Sequence, residues 1–279
     1  MAIPLNIAHR GGAGLMPENT LAAFADAVAR GCAPREGAAR PSMEYGAELD
    51  VQLSADGIAV VHHDFRLMAD VARKDGAWLD VAGPRIKDLA LADLQSFDIG
   101  RPRPGSAYAL AHPALRAVDG QTIPTLEAVV TLAAAAPGPF LLMVELKCDA
   151  GADSADPVAL ADAAYDVVSA AEFLDRAIFV GFDWRALLAV KARDLSAACW
   201  FTTDRLSGDA RAAIDTIAGA GADGWFPNFR DAAPGNVAHA RSLGLQVGAW
   251  TVNSPEDMRR LSGLDALCTD RPDLLATLA

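Results

Sequence analysis

Eight short apolar runs alternate with stretches of helical periodicity, polar groups gather at the ends of those runs, and one link of four residues is too short for a crossover. Together these observations predict an α/β chain, a TIM (β/α)8 barrel with an inserted excursion after its second strand. The eight runs are IAH, ELDV, MVELK, FVGF, ACWF, GWF, VGAW and ALCT. An open doubly wound sheet fits less well, because no GxGxxG follows the first run and the polar groups lie at many strand ends instead of one crossover.

Residues 3–9, IPLNIAH, supply the first strand. A Gly-rich turn then leads to Pro17-Glu18-Asn19-Thr20, which opens a helix with Leu21, Phe24 and Val28 on one face and an end near Gly31. Residues 32–46 hold two prolines and two glycines with little periodicity, and are expected to form an irregular excursion before the second strand. After that strand, Ser54-Ala55-Asp56-Gly57 permits only a hairpin, since a parallel crossover needs about a dozen residues. IAVVHHD therefore returns as an arm beside the second strand and drops out of the parallel count.

Residues 65–122 have scattered apolar positions, several Pro and Gly, and a helical pattern only in IKDLALADLQSF. They are expected to be a cap-like subregion inserted in a single catalytic domain spanning residues 1–279. From Ile123 the alternation is regular: TLEAVVTLAAAA reads as a helix, FLLMVELK as a buried strand, and the pattern repeats to DALCTD.

The chain has 52% hydrophobic and 22% charged residues over 279 positions, enough to bury a large core, which excludes a disordered or fibrous class. A net charge of -12 argues against a nucleic-acid surface, while leaving room for an anionic small molecule in a locally positive pocket. No apolar run approaches the ~20 residues needed to cross a bilayer, and MAIPLNIAHRGG lacks the pattern of an export signal, so the expectation is a cytoplasmic protein without stable membrane insertion. Cys32, Cys148, Cys199 and Cys268 form no CxxC pair and read as free thiols, most of them buried.

The chemistry concentrates in EYGAELDVQLSADGIAVVHHD, residues 44–64. Glu48 and Asp50 leave the same face of a strand while Leu49 and Val51 leave the other; Glu145 and Lys147 repeat the arrangement in MVELK. Carboxylates inside an apolar strand need a counter-charge, which a divalent cation, Lys or Arg, or a shared proton can each supply. The trio Glu48, Asp50 and Glu145 offers hard oxygen ligands suited to Mg2+ or Ca2+, and its lack of Cys and His speaks against zinc. Pairing of the acids with Arg10 and Lys147 alone is the competing reading.

His9 and His63 come from different elements and suit a general base and a general acid on one reacting centre. His62 should face away from His63 and serve the structure, and Asp64 either orients His63 or caps the next segment. Arg10 and Lys147 offer positive charge to a phosphate, and Phe182 and Trp250, at the ends of the fourth and seventh strands, an apolar wall for substrate. His112, His239, Trp78 and Trp184 read as packing or surface residues.

HRGG at 9–12, PENTLAAF at 17–24, ELDVQLSADG at 48–57, VVHHD at 60–64, PTLEAV at 124–129, VELK at 144–147, WTVN at 250–253 and CTDRP at 268–272 occur in the order of the blocks of the glycerophosphodiester phosphodiesterases, a family that the chain resembles over nearly its full length. The resemblance implies a metal-dependent barrel enzyme that hydrolyses a small-molecule glycerophosphodiester to glycerol 3-phosphate and an alcohol. By that resemblance Glu48, Asp50 and Glu145 hold the ion, His9 and His63 form the acid–base pair, Arg10 and Lys147 contact phosphate, and Glu18 and Asn19 are polar rim positions. A lyase that stops at a cyclic phosphate, or a silent phosphate- or metal-binding barrel, are the alternatives. The chain departs from the family in its longer PREGAARPSMEY segment and in FRLMADV after VVHHD, which lacks the basic and threonine residues often found there.

Overall fold

Alternation of side chains along eight strands gives a closed sheet with two differently populated faces. In the computed structural model, which describes residues 4–31, 45–149, 151, 153–207 and 209–278, the strands are β1 (Leu5–Ala8), β2 (Tyr45–Leu53), the hairpin arm β3 (Ala59–Val61), the small pair β4 (Arg73–Lys74) and β5 (Ala77–Trp78), β6 (Leu141–Leu146), β7 (Ala177–Gly181), β8 (Cys199–Thr203), β9 (Gly224–Pro227), β10 (Gln246–Ala249) and β11 (Ala266–Thr269). The helices are α1 (Leu21–Gly31), α2 (Leu91–Leu94), α3 (Ala107–Ala111), α4 (Leu126–Ala134), α5 (Pro157–Ala170), α6 (Trp184–Arg193), α7 (Ala210–Gly219), α8 (Pro234–Ser242), α9 (Pro255–Arg260) and α10 (Pro272–Ala276). Most of the 32–46 excursion, Cys32 included, lies outside the described residues.

Pairing runs β1-β11-β10-β9-β8-β7-β6-β2, all parallel, and β1 pairs with β2 to close the barrel. β3 lies antiparallel to the end of β2, with Val51 opposite Val61 and Leu53 opposite Ala59, so the four-residue link does turn a hairpin. β2 is long enough to serve two partners on one edge, β1 along Tyr45–Ala47 and β3 along Val51–Leu53, while β6 occupies the other.

Inward-facing Ile7, Met143, Ile178, Val180, Trp200, Phe226 and Cys268 fill the lower barrel. Gly224 makes room for the Trp200 ring, since a Cβ there would lie 2.6 Å from it. The opposite strand faces carry Leu49, Val51, Leu142, Val144, Phe179 and Phe201 into the layer under the helices. Caps at the strand-to-helix loops start several of those helices: Thr125, Asp156, Asp183, Asp209 and Ser254 each accept a backbone N–H from the first turn that follows. None of the helices among the described residues is long and apolar enough to cross a membrane.

The single helix expected over IKDLALADLQSF is instead a 3-10 turn at Ile86–Asp88 followed by α2. The hairpin link breaks it: Ala55 donates to the Leu89 carbonyl at 2.8 Å and the Asp56 carboxylate accepts from the Leu91 N–H at 3.1 Å, holding Leu89 extended. Leu67, Ala72, Ile86, Leu94, Phe97 and Ile99 form a small core of their own against Val60 and Ile123. Arg66 and Arg85 reach out to Asp153 in the loop after β6.

Candidate active site

Glu48 and Asp50 point up the inside of β2, and the β2–β6 register sets Asp50 directly beside Glu145. One ligand oxygen from each of Glu48, Asp50 and Glu145 lies within 4.8 Å of the others. Lys147 sits 3.0 Å from Glu145 and 3.6 Å from Asp50. Arg10 donates twice to Glu18, at 3.1 and 3.2 Å, and its Nε is 3.4 Å from Asp50. Four carboxylates thus share two cations.

The shortage falls on Glu48. Burial, then the charges of Asp50 and Glu145, push its carboxyl well above the usual range, and its Oε1 is buried with no hydrogen-bond partner among the described residues. For Asp50, burial also opposes ionisation, but Arg10, Lys147 and His63 together with the Asn19 amide outweigh it and hold the group below its ordinary value. Arg10 and Lys147 remain charged: burial opposes this, and the surrounding carboxylates raise both above their usual values. An orphaned carboxylate oxygen beside two further acids fits a hard divalent cation with oxygen ligands. Glu48, Asp50 and Glu145 are the residues that could hold it.

His9 follows β1 in a tight turn that only a glycine-rich segment can make, with Arg10, Gly11 and Gly12 all at positive φ (50°, 82° and 99°). The turn aims the Arg10 N–H at Glu48 Oε2, 3.0 Å away, and leaves His9 Nε2 3.9 Å from the same oxygen. His9 Nδ1 is 2.6 Å from Asp270, which also accepts from the Asn253 amide at 2.6 Å. Burial works against the Asp270 charge, yet these bonds hold its pKa at about 2.

His63 lies beyond β3, with Nδ1 3.2 Å from Asp64. Gln52, next on the inner face of β2 after Asp50, donates to the carbonyls of His62 and Asp64 at 2.6 and 2.9 Å and so fixes the arm that carries His63. Glu18, His63 and Asp64 form a second cluster, but there Glu18 is taken up by Arg10 and Tyr108 and Asp64 by His63. His62 is buried, and burial lowers its pKa. Phe182 and Trp250 meet edge to face, centroids 5.2 Å apart, and the Trp250 indole donates to the Phe226 carbonyl.

Glu18 stands at the rim. Asn19 is fully buried behind Asp50, to which it donates at 2.8 Å, so it orients a carboxylate from beneath. The sequence marks Asp270 only as a polar group at the end of the eighth strand, and it does not single out Asn253, Gln52 or Tyr108. Asp270 and Asn253 occur in the CTDRP and WTVN blocks, and Gln52 continues the period-two series Glu48, Asp50; nothing local marks Tyr108. His239 pairs with Asp215, His112 stacks on Tyr108, and Trp184 packs on Phe201.

The model of the glycerophosphoryl diester phosphodiesterase family matches residues 9–274. An uncharacterised protein of Bacillus subtilis is 31% identical, over 97% of this chain and 96% of its own. A glycerophosphodiester phosphodiesterase of Caldanaerobacter subterraneus is 28% identical over 98% and 97%. Among solved structures, a candidate glycerophosphoryl diester phosphodiesterase from Silicibacter pomeroyi superimposes with a TM-score of 0.85 at 29% identity, covering 100% of this chain and 95% of that one. An Oleispira antarctica phosphodiesterase in complex with the product sn-glycerol-3-phosphate gives 0.74 at 26%, covering 99% and 96%. With the family model matched from the first histidine of the site almost to the end of the last helix, the chain belongs to the glycerophosphoryl diester phosphodiesterase family.

Proposed function

We propose that this protein hydrolyses glycerophosphodiesters to glycerol 3-phosphate and an alcohol, with His9 and His63 as the acid–base pair and Glu48, Asp50 and Glu145 as ligands of Mg2+ or Ca2+. The observation that carries the reading is the placement of His9 Nε2 beside Glu48, within a cluster whose negative charge its own cations leave uncompensated. When bound, the ion supplies polarisation of the phosphoryl oxygens and a lower pKa for an attacking hydroxyl.

The protein's own groups account for the rest. Arg10 and Lys147 seat the phosphate, the first by its planar fork and the second as a point charge. With Nδ1–H donated to Asp270, His9 presents the Nε2 lone pair, which takes the proton of the substrate's neighbouring glycerol hydroxyl as its oxygen bonds to phosphorus. His63, steadied by Asp64, gives a proton to the departing alcohol oxygen. In the second half water attacks phosphorus, losing a proton to His63, while His9 returns its proton to the ring oxygen. Phe182 and Trp250 wall the site on its apolar side. Residues 65–122 serve as a cap, a role supported by the bonds of Tyr108 to Glu18 and of Arg66 and Arg85 to Asp153.

The test is product analysis on purified protein supplied with Mg2+ or Ca2+ and a panel of glycerophosphodiesters. Equimolar glycerol 3-phosphate and alcohol are expected. A cyclic phosphate that persists, or absence of turnover with either ion, rejects the reading.

A further inference from the structure

Between the barrel and the inserted residues runs a seam lined by Pro17, Glu18 and His62 on one side and by Ile99, Arg101 and Tyr108 on the other, enclosing a cavity of about 10 Å³. Tyr108 spans it. Its hydroxyl donates to Glu18 Oε2 at 2.6 Å, and the same carboxylate grips the Arg10 guanidinium through both oxygens. The inserted side of this bond is firmly built. Ser106 caps α3, the Tyr108 ring stacks on His112 with centroids 4.3 Å apart, and the Arg116 N–H donates to the Leu15 carbonyl at 2.8 Å. The phenol stays protonated, because burial and the adjacent Glu18 charge both oppose its ionisation.

A carboxylate held from one side only can swing about its last torsion, and the Arg10 Nη1 that donates to both its oxygens swings with it. A carboxylate held by a short O–H bond as well has one orientation. We propose that Tyr108 is a positioning residue for phosphate binding: it fixes Glu18, Glu18 sets the direction of the Arg10 guanidinium, and the seating of residues 65–122 is thereby coupled to affinity for the phosphate group. This rests on the reading above that Arg10 contacts the phosphate.

Tyr108→Phe keeps the ring, its stack on His112 and the filled seam, and removes only the hydroxyl. With sn-glycerol 3-phosphate as a competitive inhibitor, the variant should bind it roughly tenfold more weakly, and KM for the diester should rise by a similar factor while kcat stays within about twofold. The melting temperature should move by no more than ~2 °C. In an Arg10→Lys background, where the fork is gone, Tyr108→Phe should add no further loss. Unchanged inhibition in Tyr108→Phe, a fall in kcat at constant KM, or full additivity with Arg10→Lys overturns the proposal. Arg10→Ala separates it from the reading beneath. If that variant loses the inhibition and Tyr108→Phe does not, only the role of Tyr108 falls; if Arg10→Ala binds glycerol 3-phosphate as the wild type does, both fall.

Discussion

His9 Nδ1 and Asp270 Oδ1 lie 2.6 Å apart although 261 positions separate them in the chain. The bond fixes which nitrogen of His9 carries the proton and leaves Nε2 facing Glu48. Asp270→Asn can meet Nδ1 with either its oxygen or its amide, so the tautomer is no longer dictated. The expected result is a drop in kcat of ~100-fold or more with a smaller change in KM. A variant retaining half the wild-type kcat rejects an orienting role.

Asp270 also predicts a pH dependence of stability. Its pKa is about 2, below the ordinary carboxyl value of 3.8, so the folded state binds this proton less readily than the unfolded state. The stabilisation, about 2 kcal/mol, is present in full above the unfolded value and is lost as the pH falls from about 4 towards 2. The melting-temperature gap between wild type and Asp270→Asn should therefore be largest near neutrality and narrow below pH 4. A gap of constant size from pH 6 to pH 3 speaks against this origin.

Removing either histidine of the pair should slow the reaction without unfolding the protein. His9→Ala and His63→Ala are each expected to lower kcat by ~100-fold or more. A nitrophenyl diester, whose leaving group needs no proton, should restore much of the cleavage rate in His63→Ala and little in His9→Ala. The opposite pattern exchanges the two roles.

Glu48 carries the unpaired carboxylate oxygen, so its neutral isostere should separate ion binding from folding. Mg2+ or Ca2+ at about 100 times its Kd should stabilise the wild type by ~2.7 kcal/mol, read as a rise in melting temperature, and should leave Glu48→Gln unmoved. Free of metal, Glu48→Gln should be at least as stable as the wild type, because it keeps the neutral form that burial and the neighbouring acids favour at this position. Calorimetry with both ions checks the first expectation, and a metal-dependent shift surviving in Glu48→Gln excludes it as a ligand.

Gly11 lies at φ 82°, and a Cβ there would come within 2.7 Å of the Ala23 Cβ and 3.0 Å of the Ala23 carbonyl carbon. Gly11→Ala must push the turn off α1 and carry His9 and Arg10 with it. Denaturant unfolding should show a loss of ~1–3 kcal/mol, accompanied by a fall in kcat. Stability and kcat both at wild-type values would mean that the turn tolerates displacement.

The arrangement of strands was legible because side-chain period is a local property. Alternation alone puts Glu48 and Asp50 on one face of β2 and Glu145 on one face of β6, and the four residues Ser54–Gly57 alone force β3 to double back. The blocks from HRGG to CTDRP carried the family resemblance for the same reason, each being a short run whose spacing survives without knowledge of its neighbours. Residues 65–122 were not legible in this way: Asp56, a residue of the hairpin link, decides where α2 begins, and no periodicity within IKDLALADLQSF reveals that.

What the sequence by itself determined is therefore a set of candidate acids and histidines and the face of each strand on which those acids stand, without Asn253, Gln52 or Tyr108. Which acid meets which partner was decided by tertiary structure. The β2–β6 register sets Asp50 against Glu145, closure of β1 on β11 brings His9 to Asp270, and the seating of α3 delivers Tyr108 to Glu18. Strand period needs only the geometry of one chain segment, whereas register and closure depend on how the whole ring of strands and residues 65–122 bury their surfaces together, and that is where the unpartnered oxygen of Glu48 arises.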